Sequence, residues 1–212
     1  MLNLKTIIGS TRAGRAADLV VPWIIGRAKL HGAFEVDVLD LREWPLPMFA
    51  ETLQTVGDFA NPSYSEPLVK QWNQRIKEGD AFLFITPEYN HSVSGVLKNA
   101  VDSVFASFAF RNKPAAFVGY SGGIAAGVRS IEHLAHIAIE AEMVPLRSTV
   151  LLPLVGEAFD QNGLPKNPAA IMAAGIMLDD LAWWATALHR ARQDNPLPPA
   201  ALRKMAAAHR AR

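Results

Sequence analysis

Cysteine is absent from the whole of this 212-residue chain. That absence excludes disulfides, thiolate metal sites, iron–sulfur clusters and a cysteine nucleophile, and it suits a cytoplasmic protein. An excess of one charge is also missing. The 21 lysines and arginines face 20 aspartates and glutamates, so bulk charge predicts no nucleic acid or other polyanion as partner. No run of eighteen apolar residues occurs, and no membrane span is expected. No basic-then-apolar leader opens the chain, and neither repeats nor low-complexity tracts interrupt it. Two phosphate-binding fingerprints are unmet: the dinucleotide GxGxxG and the Walker GxxxxGK(S/T).

What is present is ordinary globular composition, 50% apolar and 19% charged, at a length suited to one α/β domain. Apolar, β-prone runs predict strands over residues 2–8, 35–41, 81–86, 113–120 and 148–154. Helical spacing predicts helices over 16–30, 67–78, 94 to about 108, 124–142 and 168–190. Pro22 is expected to bend the first of these. Strands alternating with helices give a doubly wound parallel sheet with order 2-1-3-4-5, whose ligands bind outside the carboxyl ends of the strands.

Three strand ends carry the candidate chemistry. After the first strand comes Gly9-Ser10-Thr11-Arg12-Ala13-Gly14-Arg15, with two glycines, two hydroxyls and two arginines at a helix N-terminus. Free N–H groups, the helix dipole and guanidinium forks suit a phosphate there, and an ordinary polar turn is the alternative. Asp40, at the end of the second strand, reads as a strand-end capping residue. After the third strand, Pro87 stops the sheet ladder and Glu88-Tyr89-Asn90-His91 follow, before a helix that Ser92 or Ser94 can cap. After the fourth strand, Ser121-Gly122-Gly123 forms a small loop where a main chain can approach a flat ring.

Rival readings share these residues. Gly119-x-Ser121-x-Gly123 fits a nucleophile elbow, with Asp160 and His189 following in serine hydrolase order, though the chain is short for that architecture. His133 and His136 lack a third metal ligand, and the turn at 159–163 lacks the length and closing glutamate of a calcium loop. No metal is expected. The proline-rich connection between Arg42 and Val69 carries Trp44, Phe49, Phe59 and Tyr64, which either cover the site or cover the sheet edge. Trp183 and Trp184 read as core or subunit-interface aromatics.

Pro87-Glu88-Tyr89-Asn90 with Leu97-Lys98-Asn99-Ala100-Val101-Asp102, and the GSTRxGR form after the first strand, resemble the two signatures of the flavodoxin-like NADPH-dependent FMN reductases. That family includes quinone, azo-dye and chromate-type reductases. The resemblance covers residues 2–190 and implies an FMN-binding domain over 1–190, followed by a basic C-terminal tail at 191–212. It implies that Ser10, Arg12 and Arg15 hold the FMN phosphate, with Thr11, Gly14 and Ala16 lending backbone contacts. Pro87, Glu88, Tyr89 and Asn90 would position the ring, Ser121, Gly122 and Gly123 would lie on its other side, and Leu46, Pro47 and Met48 near its edge. The implied activity is transfer of a hydride from NADPH or NADH through FMN to a quinone, azo compound or free flavin, in a cytoplasmic homodimer or homotetramer. No side chain is assigned a proton-transfer role. A flavodoxin-like electron carrier or flavin-binding regulator is the alternative.

Overall fold

The structure is a computed structural model that describes residues 1–58 and 61–210. Its elements are β1 (Leu2–Ile8), α1 (Ala17–His31), β2 (Phe34–Asp40), the one-turn α2 (Leu53–Val56), α3 (Pro67–Lys77), β3 (Ala81–Pro87), α4 (Gly95–Asp102), β4 (Pro114–Tyr120), α5 (Val128–Glu140), β5 (Val144–Leu152), α6 (Pro168–Asp194) and α7 (Ala200–Arg210). The strands pair in parallel in the order β2-β1-β3-β4-β5, the flavodoxin-like arrangement that the alternation predicts. Every residue of β3 and β4 is buried, as continuous apolar runs must be when helices cover both faces. One face packs on α1 and α6, through residues such as Val20, Ile24, Met177 and Leu181. The other packs on α3, α4 and α5, through Trp72, Leu97, Val101 and Leu134.

Several elements differ from the sequence expectation, each for a physical reason. Pro87 is the last buried residue of β3 rather than the first beyond it, since a strand's final position can forgo its N–H. The helix expected to reach Phe108 stops at Asp102, and Phe108 adopts φ 52°. α5 starts at Val128 rather than at 124, because Gly127 sits at φ 84°. β5 starts four residues before Ser148, on the sheet edge where Pro145 is tolerated. Trp183, 66% exposed, and Trp184 are not core residues. Of the connection's aromatics, Trp44 packs on Trp72 with ring centroids 5.2 Å apart, Tyr64 is buried and Phe49 is exposed. Phe59 lies outside the described residues, as does Arg212 at the end of the tail.

By length and apolar content alone α6 could cross a membrane. Its inner face, Ala170, Ala174, Met177, Leu178, Leu181 and Ala185, instead packs into the core beside the sheet. The last turn of this helix is tied back through Arg192, which donates to Asn112 O at 2.7 Å and to Asp80 at 2.9 Å.

One group of charges lies on the side of the sheet away from the carboxyl-end loops. Lys5, buried inside β1, bonds Asp37 at 2.6 Å and Glu78 at 3.3 Å. Asp80 accepts from the Asn3 N–H and meets His189 at 2.7 Å. Lys113, 7% exposed, donates to the last carbonyls of α3, Ile76 O at 3.1 Å and Lys77 O at 2.9 Å. Burial, with Arg192 adding repulsion, pushes its ammonium down from 10.5 to about 7. The unfolded chain therefore holds a proton that the folded chain releases between about pH 7 and about pH 10, and stability rises with pH across that window. Lys113→Met is expected to flatten this rise in a pH series of denaturant midpoints. An unchanged slope in the variant would refute the assignment.

Candidate functional site

Gly9 leaves β1 under α4, so close that a Cβ would meet Leu97 Cδ2 at 2.7 Å. Ser94, the cap of α4, fastens this point. Its Oγ accepts from the Leu97 N–H at 3.3 Å and donates to Gly9 O at 2.5 Å. Beyond it, residues 13 and 14 form a turn that engages the Arg15 N–H, and the backbone N–H groups of residues 11–14 and 16 make no hydrogen bond among the described residues. α1 then begins with no side-chain cap. Five unfilled amides at a helix N-terminus form a concavity with positive potential, which is what an anion requires.

The three side chains expected on the phosphate part company in the structure. The Arg15 side chain is 5% exposed, and its guanidinium grips Asp40 at 2.6 and 2.5 Å, Asp18 at 2.8 Å and Ser10 O at 2.6 Å. Its hydrogen bonds to Asp40, set against its burial, raise it further above its already high range. In turn, despite burial, Arg15 and the Arg42 N–H hold the Asp40 carboxyl below the usual carboxylate range. With four of its five donors spent on this chain, Arg15 ties the loop to the end of β2 and does not offer a fork to a ligand. Asp40, expected as a strand-end cap, is the other half of that tie. Arg12 is exposed, lies 5.3 Å over the Tyr89 ring and has no ion pair among the described residues. Ser10 is buried, and its Oγ meets Tyr89 Oη at 2.7 Å, joining the first loop to the turn after β3. Ala16 precedes α1 in helical conformation and offers only its N–H.

After β3, Tyr89 and Ser92 exchange backbone bonds at 2.9 and 3.1 Å around Asn90 (φ 49°) and His91 (φ 73°). The Glu88 N–H donates to Tyr120 O at 3.2 Å, and its carboxylate pairs with Arg129. After β4, Ser121 Oγ donates to Gly123 O at 3.0 Å. A Cβ on Gly122 or Gly123 would meet nothing within 4 Å, so these two leave room at the sheet edge. Gly127 is glycine for the opposite reason: a Cβ there would lie 2.6 Å from the Tyr120 N.

The hydrolase constellation does not assemble. Ser121 bonds its own loop, His189 is bound to Asp80 just before β3, and Asp160 accepts from Asn162 and Leu164 N–H groups in an exposed turn. Among the described residues no cluster of acids and histidines could hold a metal, and His133 instead meets Ser92 Oγ at 2.8 Å.

Sequence reasoning overlooked four residues. Tyr120 buries an unpartnered hydroxyl next to the loops, and burial followed by the nearby Tyr89 pushes its phenol far up. Arg42 donates to Arg12 O and holds Asp18 at 3.4 Å. Asn99 clamps the proline-rich connection, accepting from the Phe49 N–H at 2.7 Å and donating to Pro47 O at 2.9 Å. A polar residue on the inner face of α4 was the available signal. Arg129 left none. The clamp places Leu46 and Met48, with Thr11, Arg42, Trp44 and Val96, around a cleft of about 510 Å³ beside the first loop.

Known proteins share this architecture. An NAD(P)H-dependent FMN reductase of Pseudomonas aeruginosa is 31% identical over 190 residues, 88% of this chain and 97% of that protein. An NAD(P)H:quinone oxidoreductase of Solanum tuberosum is 37% identical over 108 residues, half of each chain. The solved flavoenzyme FerB of Paracoccus denitrificans, an NAD(P)H:(acceptor) oxidoreductase, superposes with a TM-score of 0.70 at 22% identity, over 88% of this chain and 98% of its own. The family profile for NADPH-dependent FMN reductase matches residues 2–156, a span that holds all five strands and every loop of the site, and the chain belongs to that family.

Proposed function

We propose that the amides of residues 11–14 and 16 and the Arg12 guanidinium take the phosphate of FMN, and that the turn after β3 and the glycine loop after β4 receive its ring. The five unfilled N–H groups of residues 11–14 and 16 carry this reading. A phosphate monoester at the end of a short chain fits such a concavity, and a flat ring fits the open space at Gly122 and Gly123. Thr11 contributes a hydroxyl, Gly14 and Ala16 contribute backbone, and Ser10, held by Tyr89, and Arg15 keep the loop in shape. Pro87, Glu88, Tyr89 and Asn90 position one side of the ring, and Ser121, Gly122 and Gly123 the other.

The chain is a flavin-dependent NAD(P)H oxidoreductase. When bound, FMN supplies the hydride chemistry, accepting from NAD(P)H and delivering to a second substrate. The protein's part is to bind, orient and shield. Arg12 and the loop amides anchor the phosphate, the turn at 87–90 fixes the ring's plane, and glycines at 122 and 123 leave that plane accessible. Quinones, azo compounds and free flavin are the acceptors this reading assigns. The apolar cleft at Trp44, Leu46 and Met48 suits a flat, poorly charged acceptor. Residues 1–190 form the cofactor-binding unit and 191–212 a basic tail. The assembly is a cytoplasmic homodimer or homotetramer, a reading supported by the exposed Trp183 and Trp184 on α6.

The test is a visible absorption spectrum of the protein loaded with FMN, followed by NADPH without oxygen. Bound yellow flavin that bleaches, and recolours when a quinone is added, is the expected result. Bound flavin that stays oxidised would point to a carrier or regulator, and a protein that takes up no FMN would overturn the site.

A further inference from the structure

The turn after β3 needs support from outside itself. It places two non-glycine residues in the left-handed region, Asn90 at φ 49° and His91 at φ 73°, and closes on only two backbone bonds of its own. The support comes from one end of α5. Ser130 Oγ meets Thr86 Oγ at 2.9 Å, His133 Nδ1 meets Ser92 Oγ at 2.8 Å, and between them Arg129 pairs with the Glu88 carboxylate. The first joins two hydroxyls and the second a hydroxyl and an imidazole ring. The third places a full charge beside the turn, because the Glu88 side chain is 5% exposed and one of its oxygens has no partner in the protein. A carboxylate so far from water depends on its countercharge.

We propose that Arg129 is a positioning residue that acts through Glu88, and that its charge sets the reduction potential of the bound flavin. The inference rests on the flavin site proposed above. Glu88 stands between Pro87 and Tyr89, so its charge lies next to the ring those residues position. Paired with Arg129 it is nearly neutral as seen from the ring. Unpaired, it opposes the added electron density of reduction in a medium that screens poorly.

The experiment compares the reduction potential and FMN affinity of the wild-type protein with those of Arg129→Gln, Arg129→Lys and the double variant Glu88→Gln/Arg129→Gln, alongside their thermal stabilities. Arg129→Gln is expected to weaken binding of reduced relative to oxidised FMN by about tenfold, a fall of about 30 mV for a two-electron couple. Arg129→Lys keeps the charge and should restore most of the potential. The double variant removes both charges and should return the potential close to that of the wild type; if Arg129→Gln alone does not fold, Glu88→Gln, which leaves the Arg129 charge unopposed, carries the test by raising the potential above the wild type. An Arg129→Gln protein with wild-type potential, a lysine variant no better than glutamine, or a double variant that stays low would each overturn the proposal. Wild-type protein that binds no FMN would instead overturn the flavin site itself.

Discussion

Arg12→Ala is expected to weaken FMN binding by roughly 1.5–3 kcal/mol, on the order of ten- to a hundredfold, while leaving the unfolding temperature almost unchanged. The neighbouring substitution Arg15→Ala is expected to do the reverse in order of magnitude. The Arg15 side chain is sheltered from water and engages Asp40 through two hydrogen bonds, so its removal leaves the Asp40 carboxylate without its countercharge. Breaking such a pair costs about 3 kcal/mol of stability. Loss of FMN follows only because the loop loses its shape. Asp40→Ala, on a different element and 25 residues away, should reproduce the Arg15→Ala defect. The double variant should be little worse than either single one, because the two side chains form one interaction. Denaturation curves and FMN titrations on the four proteins separate the roles. An Arg15→Ala protein of wild-type stability would return Arg15 to the phosphate, and an Arg12→Ala protein of wild-type affinity would remove Arg12 from it.

Gly127→Ala is the second large effect. The new Cβ would lie 2.6 Å from the Tyr120 N and 3.0 Å from Gly119 Cα, backbone atoms that belong to the buried strand β4 and cannot step aside. The residue also sits at φ 84°, where an L side chain is strained. Together these should remove about 3 kcal/mol or more, which for a chain of this size lowers the unfolding temperature by about 10 °C. Gly122→Ala and Gly123→Ala provide the contrast. Neither meets an atom within 4 Å, so both should be as stable as the parent while FMN binds more weakly. Thermal melts and FMN titration distinguish the two kinds of glycine, and a stable Gly127→Ala would show that the loop can be rebuilt around it.

The sheet was legible in the sequence because parallel strands covered on both faces must be apolar throughout. β3 and β4 are that case, and their residues are buried without exception. β5 was half missed because it is an edge strand, where Pro145 and the exposed Arg147 break the apolar run. The start of α5 was misjudged because Ile124, Ala125 and Ala126 look helical, whereas Ala126 at φ 56° and Gly127 at φ 84° both turn left-handed and end the loop there. The site was legible to the level of its loops and not to the level of its contacts. Two arginines three residues apart look alike on paper, and nothing local says that one of them will find Asp40 across the crevice. Arg129 gave no signal either, since its partner lies 41 residues earlier and the two meet only when β3 and β4 pair.

Two separate sets of ion pairs hold this molecule: Lys5 with Asp37, and Asp80 with Arg192 near the buried Lys113, lie away from the site, whereas Arg15 with Asp40 and Arg129 with Glu88 lie among the loops at the carboxyl ends that carry the chemistry. Mutational drift can therefore act on the two ends separately. Substitutions at Leu46, Met48 or Asn90 can widen or narrow the range of accepted molecules without loosening the ion pairs at the other end. An inherited change in selectivity need not wait for a compensating change in robustness, and a library confined to the cleft residues Leu46, Met48 and Val96 should retain a high fraction of folded members.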